Sequence, residues 1–203
     1  MLIENYNITF PKKITSIEDK MFFYFNYFDL EKIAKHSLEV ATEAKRLAPK
    51  FQIDEEKAYL AALLHDIGNV VPSDKQLLLA KELKLHVVEA EEILPFLLHQ
   101  KLSAYLAEKI FFVTDQELLS AMACHTTLKA QATDLDKLIF IADKVKWDHS
   151  DRAPFLDDVE QALTVSLNQA CLVYLEWAFI QGMPVIHPML QEAYDSLLIL
   201  KRE

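Results

Sequence analysis

The residues whose types and spacing could do chemistry are His36, the adjacent pair His65-Asp66, His99, His125 and Asp143. Each sits where an apolar residue belongs. His36 lies on the stripe Ile33, Val40, Leu47, whose steps of three and four mark one face of a helix. His65 and Asp66 stand at the end of the most hydrophobic helical stretch, Ala58–Ile67. His99 shares a face with Leu102, Leu106 and Ile110, and His125 with Leu118 and Met122. Asp143 follows Ile139 by four residues and joins the stripe of Leu135, Leu138 and Ala142. Taken singly, a histidine on an apolar face is most often a hydrogen-bonded core residue. A buried, unpaired carboxylate is far more costly. Two aspartates and four histidines on the inward faces of five helices are not independent accidents. Shared cations remove the difficulty, because neutral imidazole nitrogens and carboxylate oxygens are suitable ligands. Six donors exceed what one tetrahedral ion takes, so two ions bridged by a carboxylate fit better. At a helix end His65 and Asp66 can splay toward different ions, which makes Asp66 the candidate bridge. His86, His149 and His187 read as surface or loop residues. Cys124, beside His125, could be a nucleophile, but a small apolar core residue is the simpler reading.

The elements that must position these residues read as helices. Pro49 stops the helix that carries His36. Asp54 is a good N-cap for the next, with Glu55 and Glu56 in its first turn. Gly68-Asn69 is expected to end that helix as a C-cap. Ser73 with Gln76 predicts a capping box for a helix through Leu83. Further helices are expected over roughly 87–95, 99–112, 115–125, 134–149, 158–180 and 187–201, with Thr133 and Asp136 capping the fourth of these. Gly182-Met-Pro184 separates the last two. No segment alternates with period two, so the expected fold is an all-α bundle. Residues 1–18 read as a Pro-stopped N-terminal arm that packs on the body or a partner, and residues 19–203 as one domain.

Composition narrows the classes further. The chain has 203 residues, 52% of them hydrophobic and 26% charged, which fits one globular domain and excludes a disordered or collagen-like chain. It has only two glycines, too few for the turns of a sheet-rich fold. A net charge of −10 repels nucleic acid. Two separated cysteines support neither a disulfide framework nor a thiolate metal site. No signal peptide and no membrane-spanning run is visible, so a cytoplasmic protein without a membrane partner is expected.

In this order, with "AALLHDIGN" on a helix and "IFIADK" later, the six residues resemble the HD-domain superfamily of metal-dependent phosphohydrolases. Within it the chain looks like the YqeK type, the symmetrical diadenosine tetraphosphate hydrolases. The stretches "KHSLEVATEAKRLA", "HQKLSAYLA", "ACHTT", "LDKLIFIADK" and "SLNQACLVYLEWAFIQGMPVIHPMLQEAY" extend the likeness from about residue 30 to 195. The resemblance implies an HD-type helical bundle, with His36, His65, Asp66, His99, His125 and Asp143 as metal ligands. It also implies a di-iron-like centre and frequent homodimerisation. The same donors suit manganese, cobalt, nickel or zinc. Three positions depart from the family pattern. Asn69 stands where a lysine is usual, Leu128-Lys129 where Gly-Arg is usual, and Lys146 where an acid is usual. Arg152 keeps the family arginine.

The expected chemistry is attack on phosphorus by water activated between two ions, with His65 and Asp66 at the reacting centre. Lys129 and Arg152 are the expected substrate contacts, gripping the polyphosphate. Lys144 and Lys146 are weaker candidates, since solvated helix charges explain them. The expected substrate is a nucleotide or other phosphate-bearing small molecule, foremost diadenosine tetraphosphate cleaved to two ADP. The alternatives are an HD-type phosphatase on another phosphate ester, a non-catalytic nucleotide or metal sensor, and a di-iron oxygenase.

Overall fold

The structure is a computed structural model, and it describes residues 2–146 and 153–200. Eleven α-helices joined by short 3-10 turns make up the described residues, with no strand among them. They are α1 (Ile17–Tyr27), α2 (Glu31–Leu47), α3 (Glu55–Leu64), α4 (Ser73–Glu82), α5 (Glu89–Ile93), α6 (His99–Ile110), α7 (Gln116–Cys124), α8 (Asp134–Val145), α9 (Leu156–Leu163), α10 (Leu167–Gln181) and α11 (Pro188–Leu200). The expected all-α bundle is the observed architecture.

Helix α3 is the central element. Ala58, Ala61, Ala62, Leu63 and Leu64 are all fully buried. Three alanines let neighbouring helices approach closely, and α2, α7 and α8 pack around it. Helix α8 is nearly as deeply set, with Leu138, Ile139, Phe140, Ile141 and Ala142 at zero exposure. Burial of each large apolar side chain contributes about 1.5–3 kcal/mol. Helices α9 and α10 cover the far side of α8, and α11 packs on α10. Asp54 caps α3 by accepting from the Glu56 and Lys57 amides, and Thr133 with Asp136 forms the expected capping box on α8.

The N-terminal segment packs on the body. A 3-10 turn over Leu2–Tyr6 presents the Tyr6 carbonyl to the Tyr24 hydroxyl at 2.9 Å. Phe10 lies 5.3 Å from the Phe111 ring. Helix α1 was not among the expected elements. Ser16 caps it by accepting from the Asp19 amide, with Glu18 and Asp19 in its first turn, so the signal was present at the edge of the arm.

Four local expectations are corrected. Gly68 does not end α3 in a left-handed conformation. The helix stops at Leu64, and Gly68 lies in a 3-10 turn, Ile67–Val70, pressed against α6. Ser73 is not an N-cap: Pro72 holds that position, and Gln76 is buried with its amide donating to the Val71 carbonyl at 2.9 Å. The expected helix over 158–180 is two helices, because the Ser166 hydroxyl caps α10 by accepting from the Gln169 amide. His187 is not a surface residue. It is 2% exposed and meets the fully buried Glu91 at 3.3 Å. Glu91 also binds Lys101 of α6 at 2.7 Å, so this cluster ties α5, α6 and the start of α11 together.

Candidate functional site

The six residues arrive from five helices. His36 is in the middle of α2, and His65 and Asp66 follow the end of α3. His99 opens α6 directly after the 3-10 turn Pro95–Leu98, His125 follows α7, and Asp143 lies in the last turn of α8. Three of the imidazoles share one device. The Nδ1 atoms of His65, His99 and His125 lie 2.6, 2.6 and 2.8 Å from the carbonyls of Ala62, Phe96 and Met122, each three residues upstream. A carbonyl oxygen has two lone pairs, and those of Ala62 and Phe96 also take the backbone N–H three residues on. Each of the three accepts from an Nδ1–H, which assigns the proton to that nitrogen and aims the Nε2 lone pair into the site.

The Nε2 atoms converge on two carboxylates. Asp66 Oδ1 lies 3.3 Å from His99 Nε2 and 3.4 Å from His125 Nε2, while Asp66 Oδ2 lies 3.5 Å from His65 Nε2. Asp143 Oδ1 lies 3.1 Å from His36 Nε2 and 3.4 Å from His65 Nε2. Two groups of potential ligands result, His36–His65–Asp66 and Asp66–His99–His125, each with its donor atoms within 4.8 Å of one another. Asp66 belongs to both.

The donor set fits a cation on internal grounds. With Nδ1–H donated to carbonyls, His99 and His125 face each other through Nε2 atoms 2.9 Å apart. Two lone pairs at that distance repel unless a positive charge lies beside them. His65 Nε2 is fully buried with no hydrogen-bond partner, and so is His36 Nδ1. Electrostatics agrees. Burial alone would push the His65 imidazole down, but Asp66 and Asp143 draw positive charge onto it and raise it to about 9. Burial pushes His125 down to about 4, aided by the neighbouring His65 and His99. Burial opposes ionisation of Asp66 as well, yet the surrounding imidazoles hold its carboxyl well below the usual range. Asp143 is held low against burial by Lys144, His36 and His65.

A cleft of about 260 Å³ opens onto the cluster. Besides the ligand candidates it is lined by Asn69, Phe96, Thr126, Lys144 and Tyr174. The expected substrate contacts are placed differently. Lys129 is turned to Asp136 at 3.0 Å and to the Ser120 hydroxyl, and it does not line the cleft. Arg152 lies outside the described residues, as does His149. Lys146 pairs with Glu43 at 3.5 Å. Cys124 is buried and burial pushes its thiol up, consistent with a core residue.

Sequence reasoning did not single out Gln100 or Ser103, and it gave Lys144, which lines the cleft, only as a weaker candidate than Lys129 and Arg152. Gln100 is fully buried, and its carbonyl oxygen accepts from the amides of Thr126 at 3.2 Å and Thr127 at 3.3 Å. It thereby fixes the turn after His125 relative to His99. Ser103 accepts from the Gly68 amide at 2.8 Å and fixes the turn after Asp66. Both are polar residues at buried positions of α6, and Ser103 follows His99 by four residues, which was the available signal.

An all-α bundle that gathers two histidine–aspartate half-sites around a shared carboxylate defines a class of helical metal-binding hydrolases. The chain belongs to the HD domain family, whose model matches residues 33–148. HD domains are metal-dependent, and the chain is an HD-domain phosphohydrolase. It is 42% identical over 145 residues to an uncharacterized protein of Lactococcus lactis subsp. cremoris, covering 71% of this chain and 74% of that one. It is 32% identical over 145 residues to the symmetrical bis(5'-nucleosyl)-tetraphosphatase of Staphylococcus aureus, covering 70% of each. Among solved structures it resembles a predicted HD superfamily hydrolase involved in NAD metabolism from Clostridium acetobutylicum. The TM-score is 0.83 at 28% identity, over 94% of this chain and all of that one. Among the described residues, no helix is long and apolar enough to cross a membrane.

Proposed function

We propose that the protein hydrolyses a dinucleoside tetraphosphate symmetrically, with diadenosine tetraphosphate yielding two ADP. The observation that carries this reading is the shared carboxylate: Asp66 faces His99 and His125 with one oxygen and His65 with the other. His36, His65, Asp66 and Asp143 would hold one ion, and Asp66, His99 and His125 a second. When bound, the ions supply Lewis acidity toward phosphoryl oxygens and lower the pKa of coordinated water to about 7. The metal could be iron, manganese, cobalt, nickel or zinc, since a set of imidazoles and carboxylates accommodates each of them.

The protein residues do the rest. The carbonyls of Ala62, Phe96 and Met122 hold three imidazoles in the ligating tautomer. Gln100 and Ser103 hold the two ligand-bearing turns on α6. Phe96, 49% exposed at the cleft, offers a ring face on which a purine can stack. In the reaction, water adds to an inner phosphorus and the P–O bond to the central bridging oxygen breaks. One ADP carries the water oxygen and the other the former bridge. The name of the Staphylococcus aureus relative supports this substrate.

The test is to incubate metal-loaded protein with diadenosine tetraphosphate and separate the products. ADP alone is expected. Equal ATP and AMP, or turnover confined to other phosphate esters, would overturn the symmetrical assignment.

A further inference from the structure

Among the described residues that line the cleft, Lys144 is the one primary ammonium. It follows Asp143 on α8, and a position one step along a helix would ordinarily turn away from the site. Here α10 closes over it. The residue is only 8% exposed, and its Nζ lies over two aromatic rings, 5.1 Å from the centroid of Phe140 and 5.7 Å from that of Tyr174. The two rings thus flank the ammonium itself at the cleft wall.

An ammonium carries three N–H donors. Among the described residues, two oxygens accept from this one, Asp143 Oδ2 at 2.6 Å and the His125 carbonyl at 3.3 Å. Asp143 turns its other oxygen to His36 and His65, so the carboxylate is shared between the ammonium and the ligand cluster. Asn69, which lines the same cleft, is neutral. The cleft also contains two carboxylates, in a chain of net charge −10. A polyphosphate entering it meets those carboxylates, and a protein cation would add to the charge of the ions they hold. Lys129, turned to Asp136, does not supply one there.

We propose that Lys144 holds a non-bridging oxygen of the substrate's scissile phosphoryl group, its third N–H donating across the cleft. Asp143 and the His125 carbonyl fix the other two donors and set the ammonium beside the reacting phosphorus. This deepens the phosphohydrolase reading and rests on it. It also differs from a purely positioning role, in which Lys144 would do no more than orient Asp143.

Full-length protein loaded with metal, as wild type, Lys144→Gln and Lys144→Arg, separates these roles through three measurements. They are metal content by elemental analysis, calorimetric affinity for inorganic phosphate and for ADP, and kcat and KM on diadenosine tetraphosphate. Charge-assisted hydrogen bonds justify an expected loss of about 10- to 100-fold in phosphate and ADP affinity, and in kcat/KM, for Lys144→Gln. Metal content should stay at the wild-type value, and Lys144→Arg should recover part of the affinity. Loss of metal from Lys144→Gln would instead make the residue a positioning group for Asp143 and overturn the proposal. Unchanged phosphate and ADP affinity would also overturn it. If wild type cleaves other phosphate esters but not diadenosine tetraphosphate, the substrate assignment falls. The anion affinities still decide the role of Lys144.

Discussion

Replacing Gly68 with alanine should damage the site through the backbone alone. The turn Ile67–Val70 carries the chain from Asp66 onto α6, and it lies so close that a Cβ at Gly68 would stand 2.2 Å from the His99 carbonyl oxygen. It would also lie 2.8 Å from the Ser103 amide nitrogen and 2.9 Å from the Ser103 hydroxyl. Two of these three atoms are backbone, and no rotamer change moves them. Ordinary contact begins near 3.4 Å, so the turn must retreat by about 1.2 Å. Forcing a methyl into a packed interface costs about 1–3 kcal/mol, and stretching the Gly68 N–H to Ser103 hydrogen bond costs about 1 more. For a chain of this size a loss of about 3 kcal/mol lowers Tm by about 10 °C. The retreat also carries Asp66 away from His99 and His125, so metal content should fall well below wild type. The other glycine supplies the control. Gly182 has φ of 79° and ψ of 137°, and a methyl group added there would meet nothing within 4 Å, so Gly182→Ala carries only backbone strain of about 1–3 kcal/mol and should keep its metal. Thermal unfolding and elemental analysis of both variants make the comparison. Full metal content in Gly68→Ala, with a Tm within about 2 °C of wild type, would refute the claim that this close approach sets the ligand geometry.

Four further predictions concern the metal, the acid limb of stability and the base. Asp66→Asn should lower metal content and cut hydrolysis by at least about 100-fold, because both half-sites use this carboxylate; retention of both ions would remove Asp66 as the bridge. Chelation should lower Tm, by about 2.7 kcal/mol of lost stabilisation where the free metal had been at 100 times its Kd, and added metal should restore it. For Glu91, burial raises the carboxyl, but His187, Lys101 and the Val88 amide outweigh it and hold it below its ordinary value. A depressed folded pKa contributes stability above the unfolded value near 4.5, which is lost as pH falls through the folded one. Urea titrations should therefore show Glu91→Gln less stable at pH 7 by about 3 kcal/mol, the gap narrowing toward pH 3, and a pH-independent gap would count against the buried ion pair. Phe96→Ala leaves its carbonyl on His99 intact and should raise KM for diadenosine tetraphosphate about 10-fold at similar kcat; an equal loss on tripolyphosphate, which has no base, would rule out stacking.

The six candidate ligands were legible because each put a polar group on an apolar stripe at helical spacing, and that pattern needs no knowledge of which helices meet. What depended on tertiary contact was not legible. Nothing local to Gly68 distinguishes a left-handed cap from a flat turn pressed against α6. The break at Thr164–Ser166 was hidden by apolar residues on both sides, and only the Ser166 cap revealed it. Lys144 looked like a solvated helix charge until α10, some thirty residues later in the chain, placed Tyr174 beside it. His187 looked like a loop residue because its partner, Glu91, comes from α5.

The arrangement of helix ends explains how so acidic a chain can serve an anionic substrate. The C-terminal ends of α3, α7 and α8 all approach the cluster, through His65, His125 and Asp143. Each such end carries a partial negative charge of about half a unit, and two of them, α3 and α7, supply the Ala62 and Met122 carbonyls that lock imidazole tautomers. Three C-terminal ends against the single N-terminus of α6 at His99 leave a field whose balance favours cations, unlike the helix N-termini that hold phosphate in many nucleotide-binding folds. An anion binds here only after positive charge has been gathered. On the proposed reading, metal ions held by the six ligands would supply most of that charge, and the Lys144 ammonium, paired with Asp143 at 2.6 Å, would add to it on the cleft wall. On that reading the electrostatics favour metal binding before polyphosphate.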